Sequence, residues 1–277
     1  FYNSSLTAHA VARMSIQSAL HQALEREEFH LLYQPLVHAR TGRIIAVEAL
    51  IRWQHPERGL IPPMEFIPLA EELGLILRIG DWVIRTACAD AMRWRQMNLP
   101  RIQMSVNLSN IQFRNKDLLK DISHVLEQTG LPADCLELEI TESALMEDAQ
   151  GALAQMSALK KYSVKMALDD FGTGYSSLQY LKELPLSKLK IDRAFVTDLC
   201  SDSKSDEAIV RAVVSLARTL GMQVTAEGVE TLDQANALVA LGCDSLQGYY
   251  FSKPVFADAI PELMNRTWVL GSSPQST

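Results

Sequence analysis

The 277-residue chain lacks the marks of several protein classes. Its four cysteines, Cys88, Cys135, Cys200 and Cys243, are far apart and form no C-x-x-C pair. That excludes a zinc ribbon or a dithiol redox centre and reads as reduced thiols of a cytoplasmic protein. No apolar run approaches the roughly 20 residues that cross a bilayer, and no secretory leader opens the chain. A basic face is missing as well. The net charge is −7, with acids and bases interspersed, which excludes a long nucleic acid as partner. An acidic protein can still take a small phosphodiester when metal cations sit between the two anions. The chain starts at Phe1 rather than Met, which reads as a piece of a longer protein whose upstream part could carry a membrane anchor.

What is present is a regular alternation of strand and helix patterns in a chain that is 48% apolar and 21% charged. Residues 1–29 read as a helix connecting from an upstream domain, and residues 266–277 as a polar tail. Between them, strands are expected near 31–37, 44–51, 103–108, 136–140, 165–168, 186–191, 223–226 and 245–247. Helices are expected over Glu65–Leu73, Asp81–Asn98, Lys116–Thr129, Glu147–Tyr162, Ser176–Glu183, Ser205–Leu220 and Leu232–Leu241, with a Pro/Gly-rich loop at 54–64. Strands alternating with helices over 30–265 predict an α/β fold of the (β/α)8 TIM-barrel type. The first two strands are joined by the tight turn at Thr41-Gly42 with no helix between them, so one of them should run antiparallel.

Polar residues recur at the strand ends: Glu48, Asn107, Glu139, Asp169, Asp170, Lys190, Glu227 and Gln247. In a barrel those tips meet on one face. The set holds five carboxylates, two amides and a lysine but no histidine, since all six histidines lie at or before His124. Oxygen donors of this kind favour a hard cation such as Mg²⁺ or Mn²⁺. Five acids crowd one octahedral ion, and two ions sharing a carboxylate fit better. Adjacent strand residues point to opposite sides, so Asp169 and Asp170 both reach the site only if the strand breaks there. The turn Gly172-Thr173-Gly174 that follows allows such a break. Two adjacent metals suit in-line phosphoryl chemistry on a water they share, and Lys190 can donate to the attacking or transition-state oxygens while also pairing with the acids. Carboxylates with a K-x-K strand (Lys188, Lys190) also fit an enolase-type enzyme, in which one Mg²⁺ is held by three acids and a lysine is the base. Against that stand the surplus of ligands and the missing N-terminal capping domain.

Seven ordered motifs resemble the EAL domain family of bacterial cyclic di-GMP phosphodiesterases. They are Glu48-Ala49-Leu50 continued by Ile51-Arg52-Trp53, SVNLS at Ser105–Ser109, ELEITES at Glu137–Ser143, DDFGTGYSSL at Asp169–Leu178, KLKID at Lys188–Asp192, AEGVE at Ala226–Glu230 and QGYYFSKP at Gln247–Pro254. The resemblance implies hydrolysis of cyclic di-GMP to linear pGpG with two Mg²⁺ or Mn²⁺ ions. It puts Glu48, Asn107, Glu139 and Asp169 on one ion, and Asp169, Asp170 and Glu227 on the other. Lys190 would contact the attacking water, with Glu227 or Lys190 cast as base. Gln34, Arg52, Asn107 and Gln247 would bind substrate, and Phe251 and Pro254 would flank a guanine. Glu142 and Glu230 would anchor the loop after Asp170. A homodimer, an upstream GGDEF or sensor domain and no membrane contact by this segment are further expectations. Ca²⁺, with longer and looser coordination, should inhibit. Receptors of this family that bind without cleaving usually lose a metal acid, the lysine or the loop glutamate, and every such position is occupied here.

Overall fold

The structure, a computed structural model, describes residues 16–146, 148–172, 178–200 and 204–271. Nine strands form one sheet: β1 (Phe29–His38), β2 (Ile44–His55), β3 (Gly59–Ile61), β4 (Gln103–Leu108), β5 (Leu136–Thr141), β6 (Lys165–Phe171), β7 (Lys188–Ile191), β8 (Gln223–Ala226) and β9 (Ser245–Gln247). Their order is β1-β9-β8-β7-β6-β5-β4-β2-β3, and the additional β1–β2 pairing closes eight of them into a barrel with β3 outside it. The pairs from β2 to β4 and onward to β9 are parallel, whereas β1 is antiparallel to both β2 and β9. The antiparallel strand expected from the short first connection is therefore β1.

The β1–β2 turn shows why its glycine is needed. Gly42 sits at φ +62°, and a Cβ there would come within 1.7 Å of the Trp268 carbonyl oxygen. Trp268 donates its backbone N–H to the Gly42 carbonyl (2.9 Å) and packs its ring edge-on against Phe251. The segment expected to begin a polar tail at 266 is thus tied to the barrel as far as Gly271, whose N–H bonds to the Asn236 side chain. Residues 272–277 lie outside the described residues. At the other end, Ile16, Leu20 and Ala23 are buried in the core. The part of the entering helix that is described packs on the barrel.

Each barrel strand is covered on both faces, by helices outside and by neighbouring strand side chains inside. In β5 every residue from Leu136 to Ile140 is buried. Leu136, Leu138 and Ile140 alternate with Glu137 and Glu139, so the acidic face of the strand is the lumen. Other differences from the sequence reading are local. The loop at 54–64 contains β3, which pairs antiparallel with β2 through Trp53, Gln54 and His55. The long helix begins at Ile76 rather than Asp81, because Ile76, Ile79 and Gly80 continue its buried stripe.

Candidate active site

The lumen-facing ends of the strands bring the predicted residues together. Lys190 on β7 is 1% exposed, and its ammonium is the hub. It hydrogen-bonds Glu139, lies 2.5 Å from Glu227 Oε1 and 3.3 Å from Asp169 Oδ1, and stands 3.8 Å from Glu48 Oε2. One carboxylate oxygen each from Glu48, Glu139 and Glu227 falls within 4.8 Å of the others. Asn107 donates from Nδ2 to Glu48 Oε1 (2.6 Å), and Gln247 donates from Nε2 to Glu48 Oε2 (2.7 Å). Gln34 lies directly across from Glu48 in the β1–β2 ladder and accepts a longer bond from Gln247 (3.3 Å). Barrel closure therefore puts Gln247 of the last strand on Glu48, with Gln34 of the first strand beside it.

The Asp169–Asp170 pair is arranged differently from the expected strand break. β6 continues through both residues to Phe171, and the β6–β7 register shifts between Leu168 and Phe171. Asp170 adopts φ +54°, and its N–H bonds to the Asp169 carboxylate at 3.0 Å. A bulge re-aims side chains without ending the strand. Asp169 consequently turns inward toward Lys190. Asp170 stands at the rim and hydrogen-bonds Asp192. Thr173 and Gly174, invoked for the break, lie outside the described residues.

The electrostatics follow from four carboxylates converging on one ammonium. Burial alone would lower the Lys190 pKa, but Asp169, Glu139, Glu227 and Glu48 outweigh it and hold the group well above the usual lysine value. Burial drives Glu139 well above the usual carboxylate range against the pull of Lys190, with Glu48, Asp169 and Glu227 adding to the rise. Burial likewise pushes Glu227 up to about 8. Asp170 is raised by partial burial and by the charges of Asp169 and Asp192. With Lys190 cationic and all four acids ionised, the cluster would carry three excess negative charges.

That excess is what a divalent cation would neutralise, and the donor set fits one. The site offers carboxylate oxygens and the amides of Asn107 and Gln247, and Glu139 Oε1 is buried with no hydrogen-bond partner among the described residues. An unpartnered buried acceptor is costly unless something else meets it, and oxygen-only sites suit Mg²⁺ or Mn²⁺.

Above the acids opens a cleft of about 370 Å³, lined by Gln34, Glu48, Glu227 and Gln247 and by residues the sequence reading passed over, Arg193, Thr197 and Tyr249 among them. Arg52 lies two residues beyond cleft-lining Leu50 on the same face of β2. It bonds the Ile51 carbonyl (2.8 Å); burial lowers its pKa, opposed by Tyr249 and Glu48. Phe251, expected beside a guanine, is 5% exposed and packs on Tyr250 and Trp268. The ring that the described residues present to the cleft is Tyr249, 58% exposed with the Lys253 ammonium 5.6 Å from its centroid. Pro254 is half-buried, next to Val255, which pairs with Tyr33. Glu230 lines the cleft, and Glu142 is buried with both carboxylate oxygens lacking a hydrogen-bond partner among the described residues. The sequence signal for Arg193 and Tyr249 was their place two or three residues after the tip residues Lys190 and Gln247.

Lys188 is no second lysine of the cleft. It is buried one layer below, 2.5 Å from Glu137 Oε1, which also accepts from Ser105 (3.1 Å). This removes the paired-lysine basis of the enolase-type reading.

A barrel with a metal-fitting acid cluster around a buried lysine at its strand tips defines the class. The comparisons define the family. The family model described as "EAL domain" matches residues 17–254. This chain belongs to the EAL domain family. It is 46% identical over 260 residues to the bifunctional diguanylate cyclase/cyclic di-GMP phosphodiesterase MucR of Pseudomonas aeruginosa, covering 94% of this chain and 38% of that protein. It is 39% identical over 264 residues to the cyclic di-GMP phosphodiesterase NbdA of the same organism, covering 95% of this chain and 34% of NbdA. Among solved structures it is similar to the MucR phosphodiesterase in complex with c-di-GMP, with a TM-score of 0.86 and 46% identity over 89% of this chain and 99% of that one. It is also similar to the EAL enzyme Bd1971 in a form bound to cAMP and cyclic di-GMP, with a TM-score of 0.86 and 34% identity over 93% of this chain and 70% of that one. The chain spans about a third of the length of the curated relatives it matches. No helix among the described residues is long and apolar enough to cross a membrane.

Proposed function

We propose that this chain hydrolyses cyclic di-GMP to linear pGpG with two divalent cations, Mg²⁺ or Mn²⁺. The observation that carries the reading is the convergence of Glu48, Glu139, Asp169 and Glu227 on Lys190 beneath an open cleft. Relatives described as cyclic di-GMP phosphodiesterases, matching over nearly the whole chain, support the substrate.

Glu48, Asn107, Glu139 and Asp169 would hold one ion, and Asp169, Asp170 and Glu227 the other. The ions, when bound, supply Lewis-acid polarisation of the phosphate and lower the pKa of water. The residues of the chain do the rest. Asn107 and Gln247 grip the two oxygens of Glu48 and fix its orientation. Lys190 stays an ammonium because its acidic neighbours outweigh burial, so it donates protons in hydrogen bonds to oxygens at the reacting phosphate and is a poor base. Arg52 can meet a phosphate with its planar fork, and the exposed Tyr249 ring offers a face on which a guanine can stack. Glu142 and Glu230 would anchor the loop that follows Asp170. The similarity to MucR, a bifunctional diguanylate cyclase/phosphodiesterase, supports an upstream cyclase domain in the parent protein, and a homodimer is part of the proposal.

The deciding experiment follows pGpG release by the purified chain over a range of Mn²⁺ and Mg²⁺ concentrations. Release is expected with either ion and should stop when Ca²⁺ replaces it. Binding of cyclic di-GMP without any release would make the chain a receptor instead.

A further inference from the structure

We propose that Arg193 holds the non-reacting phosphate of the cyclic dinucleotide, across the barrel mouth from Arg52; this rests on the cyclic di-GMP reading above. Arg193 lies two residues beyond the end of β7 and lines the cleft. Arg52 lies near the end of β2. Going round the barrel from β2 through β1, β9 and β8 to β7 takes four steps, half the circuit of eight strands. The two arginines therefore stand on opposite sides of the barrel, with the acidic mouth between their strands. Between them lie Glu48, Gln247 and Glu227, the floor on which one phosphate would react.

Two features single out Arg193. Among the described residues its guanidinium makes no ion pair or hydrogen bond, although Glu227 and Glu230 share the cleft wall. Lys190, by contrast, is surrounded by acids. The backbone is also built to hold residue 193 close. Gly228 sits at φ +70°, and a Cβ there would fall 2.4 Å from the Arg193 Cβ and 3.1 Å from its Cα. A glycine at the end of β8 thus lets the start of the post-β7 segment press against the cleft wall. The ligand that matches two opposed cations across an acid floor has two separated anions. A cyclic dinucleotide carries two phosphodiesters, and only one can sit on the acids at a time.

The test compares the full chain with its Arg193→Ala and Arg193→Lys variants. It measures KM and kcat for cyclic di-GMP with Mn²⁺, and Kd by calorimetry in EDTA, where turnover stops. Arg193→Ala should raise both KM and Kd by about tenfold or more, the loss of a charge-assisted hydrogen bond, with kcat changed far less. Its binding should also be less sensitive to added salt. Arg193→Lys should recover part of the affinity, because the ammonium keeps the charge that attracts a phosphate but lacks the bidentate fork. An Arg193→Ala variant that binds as tightly as the parent overturns the assignment. A lysine variant as weak as the alanine variant overturns the phosphate as its target. A parent chain that neither binds nor cleaves cyclic di-GMP overturns this inference together with the reading it rests on.

Discussion

The barrel lumen holds two polar layers built from the same strands two residues apart, and they behave in opposite ways. In the lower layer Glu137 on β5 meets Lys188 on β7 at 2.5 Å and Ser105 on β4 at 3.1 Å, while Thr225 and Ser245 bond each other at 2.7 Å. Ala167 of β6 lies between β5 and β7, and its small side chain lets Lys188 cross to Glu137. Charges there balance one to one. In the upper layer the equivalent pair, Glu139 and Lys190, is joined by Asp169 where β6 has Ala167 below, by Glu227 where β8 has Thr225 below, and by Glu48. The same lysine–glutamate pairing is structural when it balances and becomes a candidate site when acids exceed bases beneath an open cleft. Charge surplus and access separate the two.

The comparison can be broken from either side. Glu48→Ala removes an acid gripped by both Asn107 and Gln247, and should lower pGpG production by well over 100-fold, more than the loss usual for a group that merely supports a metal ligand. The folded domain should survive, as read by circular dichroism. Undiminished turnover would remove Glu48 from the metal site. Lys188→Met, one layer lower, should act on stability instead. It strands Glu137 as an unpaired buried charge, and breaking such pairs costs about 3–5 kcal/mol, a fall in Tm of several degrees or more for a domain of this size. Pairing it with Glu137→Leu should restore much of that loss. A Lys188→Met protein of unchanged Tm that fails only in catalysis would show that the layers are one site.

The smallest effect separates the layers by pH. Glu139 and Glu227 have folded pKa values above their unfolded ones, Glu227 at about 8. The metal-free folded state therefore binds more protons than the unfolded state between the ordinary carboxylate range and about pH 8. Its stability should fall as pH rises through that window. Mg²⁺ or Mn²⁺ should restore it most at the upper end, because binding must displace those protons. A metal-free Tm that rises from pH 5 to pH 8, or one insensitive to metal at pH 8, would contradict the surplus of charge assigned to the upper layer.

Much of this was legible in the chain itself. Leu-Glu-Leu-Glu-Ile in β5 and Lys-Leu-Lys-Ile in β7 alternate with the two-residue period of a strand, so the polar face declares itself without coordinates. The tight turn at Gly42 declared the antiparallel β1. β3 escaped notice because three residues between proline and glycine signals carry too little pattern. The surroundings of Phe251 were not legible, because an aromatic in a motif can face either core or cleft, and it packs on Trp268, seventeen residues later.

Residue identity and periodicity alone determined the barrel, its odd strand and the list of acids at the strand tips, because those depend on local alternation and turn chemistry. Only the tertiary structure decided which pairs balance. Lys188 and Lys190 are alike in sequence, and only strand register puts Glu137 alone beside one and four carboxylates around the other. The bulge at Asp170 was likewise decided by the neighbouring strand, since a register shift exists only between two strands. So was the place of Arg193, whose strand lies opposite that of Arg52 because the sheet closes on itself.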